Sequence, residues 1–233
     1  MGDLMIETIR VLLIFAFGSS LGWMIEFFYR GAKVNPGFLA GPYLPIYGVG
    51  AVILNYISGL TVPISLKIVL FAFSTTSLEL MTGLIFIGHY RIRLWDYRKN
   101  LFNFRGIISP LYTFYWTLLS LVFYLLVYPF ISNIVELFYQ NLELSFFVGI
   151  FYGVLILDLS MSFKLASRIK GFVLSRKAWA IVNMESLKVR LDDRLRNQGH
   201  MNRLYRFFSS PNRMLNNELF DQLNSFINKK KRS

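Results

Sequence analysis

The sequence predicts an all-α polytopic membrane bundle of about five spanning helices, with its N-terminus outside and a basic helical tail inside. Three observations predict it. Of 233 residues, 55% are hydrophobic and only 16% charged, against roughly a quarter charged in soluble domains. Long apolar runs recur along the chain at lengths that match the roughly 20 residues a bilayer crossing needs. Lys and Arg fall on alternate connections between those runs, which sets orientation.

The first run extends from Leu4 to Tyr29 and is free of charge from Val11 to Ile25. Asp3 and Glu7 stand where a removable leader would carry basic residues, and Glu26 follows where it would be cut, so a retained helix is expected. The second run, about 43–60, opens on Gly41, Pro42, Pro45, Gly48 and Gly50. Proline lacks an N–H and clashes with the preceding turn, so this segment is expected to be kinked, broken or re-entrant near its cytoplasmic end. The third run covers about 63–88, interrupted by Glu79. The fourth covers about 107–130 and is rich in aromatics. The fifth covers about 144–163, interrupted by Asp158. Residues 1–165 thus form the bundle and 166–233 the tail.

The first connection carries Arg30 and Lys33, and the one near 60–63 carries no cation. The third has Arg91, Arg93, Arg98, Lys99 and Arg105 around Asp96, and the fourth only Glu136 and Glu143. From Lys164 onward there are 16 Lys and Arg against 5 Asp and Glu. Placing the basic connections inside puts the N-terminus outside and the C-terminus in the cytoplasm, with the protein in the cell membrane. The tail reads as helical: Trp179, Ile181, Val182, Leu187 and Leu191 recur at helical spacing. Ser210-Pro211-Asn212 breaks it, a second helix is expected over about 213–227, and Lys229-Lys230-Lys231-Arg232 ends it. The net charge of +12 is therefore a topology signal, and the surface suits anionic lipid headgroups or a cytoplasmic protein. No nucleic-acid-binding motif accompanies it, and no nucleic acid is expected as a partner.

There is no Cys, which excludes disulfides, thiolate metal sites and Cys nucleophiles. His89 and His200 lack metal-ligand spacing, so neither a metal nor a cofactor is expected. His89 suits an interfacial position. No phosphate-binding Gly-Lys-Ser/Thr loop occurs, so ATP hydrolysis would need another chain. No zinc-protease or Gly-x-Ser-x-Gly motif occurs either.

Ionisable groups inside spanning runs are costly and mark candidate sites. Gly18, Gly22 and Glu26 lie four apart and share one helix face, as do Thr75, Glu79 and Gly83. Small residues permit close helix packing, so both faces should point inward. Glu26 can serve a polar path or pair with Arg30 at i,i+4. Glu79 can serve a pathway or hydrogen-bond another helix. Asp158 suits a headgroup-level or salt-bridge role. In the third connection Trp95, Tyr97 and Arg105 suit the membrane interface, and Asp96 between two aromatics suits a cap, a salt bridge or a ligand contact.

These segments carry a resemblance. Gly22-Trp23-Met24-Ile25-Glu26, the run from Asn35 to Ala51 (NPGFLAGPYLPIYGVGA), Leu78-Glu79-Leu80-Met81-Thr82-Gly83, Leu94-Trp95-Asp96-Tyr97 and Phe102-Asn103-Phe104-Arg105-Gly106 resemble motifs of the bacterial CmpB family. That family is described as type IV ABC-transporter membrane proteins. The similarity covers roughly 20–125 and leaves the fifth run and the tail outside. Pro36 departs from it, since a basic residue is expected there. The resemblance implies a permease-like subunit working with a separate ATPase, its polar path or ligand contacts drawn from Glu26, Glu79, Asp96, Asn103 and Tyr47. A membrane scaffold recruiting a partner through the basic tail, and a lipid-modifying enzyme using Glu26, Glu79 and Asp96, are the alternatives.

Overall fold

The computed structural model describes residues 2–31, 37–175, 181–197, 221 and 223–225. Lys33, Pro36, Trp179, His200, the Ser210-Pro211-Asn212 break, nearly all of the expected helix at 213–227 and the terminal basic run lie outside the described residues.

The chain is mostly helical, and among the described residues four helices are long and apolar enough to cross a bilayer. The first, α1 (Gly2–Tyr29), contains the span Leu4–Tyr29. Next comes α2 (Pro45–Ser58), then α3 (Ile64–Ile85), whose last turn widens into a π turn at Phe86–Tyr90. A short strand β1 (Ile92–Arg93) precedes the loop to α4 (Pro110–Val122). A π turn at Phe123–Val127 joins α4 to α5 (Tyr128–Gln140) without a break. After a 3-10 turn at Leu142–Leu144, α6 (Ser145–Ser175) runs into the tail, where β2 (Val182–Asn183) and α7 (Met184–Asn197) follow.

The expected second spanning helix is cut short. With 14 residues, α2 is roughly 21 Å long at 1.5 Å per residue, short of the ~30 Å hydrocarbon core. The reason is local. Leu44, preceding Pro45, is extended at φ −124° and ψ 101°, because the proline ring excludes it from the helical region. Pro45 then sits in the first turn, where its missing N–H costs nothing. Among the described residues, four helices are long enough to cross and α2 is a shorter apolar one.

The fourth run, by contrast, extends past its expected end. Pro129 cannot donate to the carbonyl four residues earlier and crowds it. The π turn just before it takes up that mismatch, and the helical path continues to Gln140 as one 31-residue span. Glu136, expected in a connection, is helical and exposed.

Two compact units make up the chain. The first comprises residues 1–22, 43–82 and 97–155. Its core gathers Ile14, Ala51, Leu54, Phe71, Phe123, Ile131 and Val135. In this unit α2 packs closely and antiparallel on α1. Leu44 N–H bonds the Ser19 carbonyl at 2.9 Å, and at the other end Tyr56 Oη donates to Glu7 at 2.8 Å. Close approach is permitted by Gly22, where an added Cβ would fall 2.1 Å from Cγ of Tyr47, and by Gly48, where it would fall 2.2 Å from Ser19 Oγ. The expected inward face of α1 is thus real at Gly18 and Gly22.

The second unit comprises 23–42, 83–96 and 156–233. There β1 and β2 pair in parallel, Ile92 opposite Val182 and Arg93 opposite Asn183. Ile92, Val182, Met184, Ile169 and Val173 are all buried. Helix α7 is capped at its start by Asn183, whose Oδ1 accepts the Ser186 N–H at 3.1 Å.

Candidate functional site

In the first unit the buried acid is Glu79 on α3, 1% exposed, with Thr75 one turn earlier at 4%. Both point inward, as their spacing requires. Tyr97 Oη donates to Glu79 Oε1 at 2.8 Å. The Tyr97 ring lies flat on Tyr112, centroids 3.8 Å apart and planes within 10°. Thr76 donates to Thr113 at 3.1 Å, tying α3 to the first turns of α4. Tyr47 sits 4.7 Å from Trp116 on α4, one turn beyond Tyr112. A Cβ added at Gly50 would fall 3.7 Å from Leu78 Cδ2, so α2 and α3 run close together there. Glu79, Tyr47 and Tyr97 therefore fall in one unit, around α4's face bearing Tyr112 and Trp116.

Tyr97, expected at the headgroup level, is half-buried with its hydroxyl on Glu79. The loop that carries it is internally pinned. Tyr97 N–H bonds the Gly106 carbonyl at 3.0 Å. Asn103 accepts the Gly106 N–H at 2.9 Å and donates to the Asn100 carbonyl at 2.8 Å. Its side-chain amide is thereby engaged at both ends, which makes Asn103 a brace of the loop. Phe102 and Arg105 adopt left-handed backbone at φ 53° and 54°, beside Gly106 at 67°. Arg105 is exposed, its guanidinium 5.5 Å from the Phe104 ring.

The remaining candidates belong to the second unit. Glu26 and Arg30 form the expected i,i+4 pair at 2.8 Å, and Arg30 also reaches Glu185 of α7 at 2.7 Å. Asp96 lies 3.9 Å from Arg93, and Trp95 is half-buried. Asp158, expected at the headgroup level or in a salt bridge, is 4% exposed and holds backbone N–H groups. Its Oδ2 accepts the N–H groups of Ala40 and Gly41 at 2.8 and 2.7 Å, and Oδ1 accepts Ser162 Oγ at 3.1 Å. The carboxylate thereby satisfies the non-helical backbone that leads toward α2, whose N–H groups have no helix to bond. On the same stretch Lys188 of α7 donates to the Gly37 carbonyl. Burial pushes the Lys188 amine down to about 7. Repulsion from Arg30 adds to that, while Asp158 and Glu185 oppose it.

Two functional-looking residues escape the sequence reading. Lys67, on the first turns of α3, is 6% exposed. Its Nζ donates to the Ser58 carbonyl at 2.7 Å and lies 4.6 Å over the Tyr124 ring. A cation at the last carbonyls of α2 is favourably placed against the helix dipole. The signal was a lone lysine within an apolar run, near a connection otherwise without cations. Lys188 gave none, being one of many tail lysines.

These motifs and this helical framework agree with a comparison against protein families. A family model described as "Putative ABC-transporter type IV" matches residues 13–163. The chain belongs to the CmpB family. The match runs beyond the motifs that carried the resemblance and takes in the fifth run through Phe163, so that Asp158 lies within the family region of this CmpB chain. No curated protein and no solved structure matches it.

Proposed function

We propose that the chain is the permease-like membrane subunit of an ABC-type transporter, dependent on a separate ATPase and built around a half-unwound second crossing. The single observation that carries this is where α2 begins. Leu44 is bonded to Ser19, which lies 15 residues along the span from Leu4, roughly 22 Å at 1.5 Å per residue. The chain leaving α1 at Tyr29 must therefore return about ten residues' depth along that helix before α2 starts. Non-helical backbone at membrane depth is tolerated only where protein buries it or where it lines a cavity. In secondary transporters such interrupted helices lie at substrate sites. In this reading the non-helical residues 37–44 together with α2 make the fifth crossing.

In this reading the N-terminus is outside and the C-terminus cytoplasmic, which the charge alternation supports. Glu79, with Tyr97, Tyr112, Tyr47 and Trp116, forms the polar and aromatic surface of the path. A buried acid in a spanning helix is worth its cost where it handles a polar or charged cargo.

The test is Glu79→Gln, which keeps shape and removes the ionisable carboxyl. It should fail to restore function in cells lacking the protein while reaching the membrane in normal amount. Full restoration by Glu79→Gln would remove Glu79 from the path.

A further inference from the structure

The loop from Tyr97 to Ser109 ends in a tip that nothing in the permease reading uses. Leu101 is 83% exposed, Phe102 88% and Phe104 51%. Around them stand three exposed cations, Arg98, Lys99 and Arg105. Phe102 is a bulky residue held in left-handed backbone, a conformation that favours Gly or Asn. A side chain kept in that backbone and turned to solvent serves neither the core nor the turn. The loop is also not free to project. Tyr97 ties one of its ends to Glu79 at 2.8 Å, Asn100 meets Ser109 at 3.3 Å, and Pro110 begins α4 immediately after. The tip is thereby fixed beside the start of α4, a helix long and apolar enough to span.

We propose that this tip is a membrane-insertion element: Leu101, Phe102 and Phe104 enter the interfacial layer of the bilayer, and Arg98, Lys99 and Arg105 hold it there on anionic headgroups. Apolar aromatic side chains ringed by cations are the chemistry that binds an anionic lipid surface, by burial below the headgroups and attraction at them. The site is distinct from the basic tail, which carries cations without this exposed apolar tip among the described residues.

Because the chain has no Cys, Phe102→Cys in the full-length protein gives one labelling site for an environment-sensitive fluorophore. The labelled protein is placed in nanodiscs of neutral phosphatidylcholine, or of the same lipid with added phosphatidylglycerol. The expected result is blue-shifted emission, stronger with the anionic lipid, quenched by spin-labelled lipid and shielded from iodide. Replacing Arg98, Lys99 and Arg105 together by Gln should abolish the dependence on anionic lipid. Water-like emission, equally open to iodide in both lipids, would overturn the proposal. So would a blue shift that occurs only when a co-purified protein is present, which would make the tip a protein-docking surface. Both faces of a nanodisc are alike, so the result is independent of orientation and of transport, and its failure would leave the permease reading standing.

Discussion

At the residue scale, the contacts of Gly22 and Glu79 make the sharpest predictions. A methyl on Gly22 would strike the Tyr47 ring. Gly22→Ala should therefore lower stability by about 1–3 kcal/mol, the range for overpacking a close contact, read as earlier thermal unfolding in detergent. Tyr97→Phe removes the phenol that donates to Glu79. Losing a partner from a buried polar group costs about 1–3 kcal/mol, and the same thermal scan should register it. If Tyr97→Phe unfolds like the parent, that hydrogen bond contributes nothing to the unit. The Glu26–Arg30 pair was legible in the sequence because its partners are four residues apart. The partners of Asp158 were not, since Ala40 and Gly41 lie 118 and 117 residues away. Lys67 shows the same limit: only the fold reveals that its ammonium caps α2.

At the element scale, the irregular stretch ahead of α2 is held by side chains from two other helices. Asp158 of α6 takes its N–H groups and Lys188 of α7 takes a carbonyl. Asp158→Ala should leave those N–H groups without the carboxylate and loosen this stretch, seen as faster amide exchange at Ala40 and Gly41. Lys188 adds a pH signature. Its folded-state pKa of about 7 lies below the ordinary 10.5, so the unfolded chain binds the extra proton between those values. Stability should rise with pH from about 7 toward 10.5 and be at its lowest below that window. The difference in thermal midpoint between the parent and Lys188→Met should shift in the parent's favour from pH 7 to pH 9. A difference constant over that range would mean that Lys188 does not titrate there. The boundaries of α1 and α3 were readable from apolar runs alone. The short α2 was half readable: prolines and glycines flagged a break without saying where helix resumes. The fourth run was ended too early, near Phe130, because Glu136 was read as part of a connection, whereas the helix carries it on to Gln140.

At the scale of the whole molecule, membrane character was legible from composition and the family from motifs, because both are carried by residue types in order. The fold of the tail was legible only in part. The helical spacing read from Trp179 to Leu191 misplaced the start: Ile181 is not helical, Val182 lies in β2 and α7 begins at Met184, because β2 pairs with β1 across 90 residues of sequence and leaves no local pattern. Orientation rests on charge and can be measured with single cysteines in this cysteine-free chain. An impermeant maleimide should label Asn141→Cys in intact cells and Leu101→Cys only after permeabilisation; the reverse pattern would invert the topology. The central claim is a permease subunit that relies on another chain for ATP. Its most direct test is purification of the tagged protein from its own membranes in mild detergent, with the bound proteins identified and counted. A nucleotide-hydrolysing subunit in fixed stoichiometry is the predicted result, and a protein that purifies repeatedly with no ATPase would contradict it.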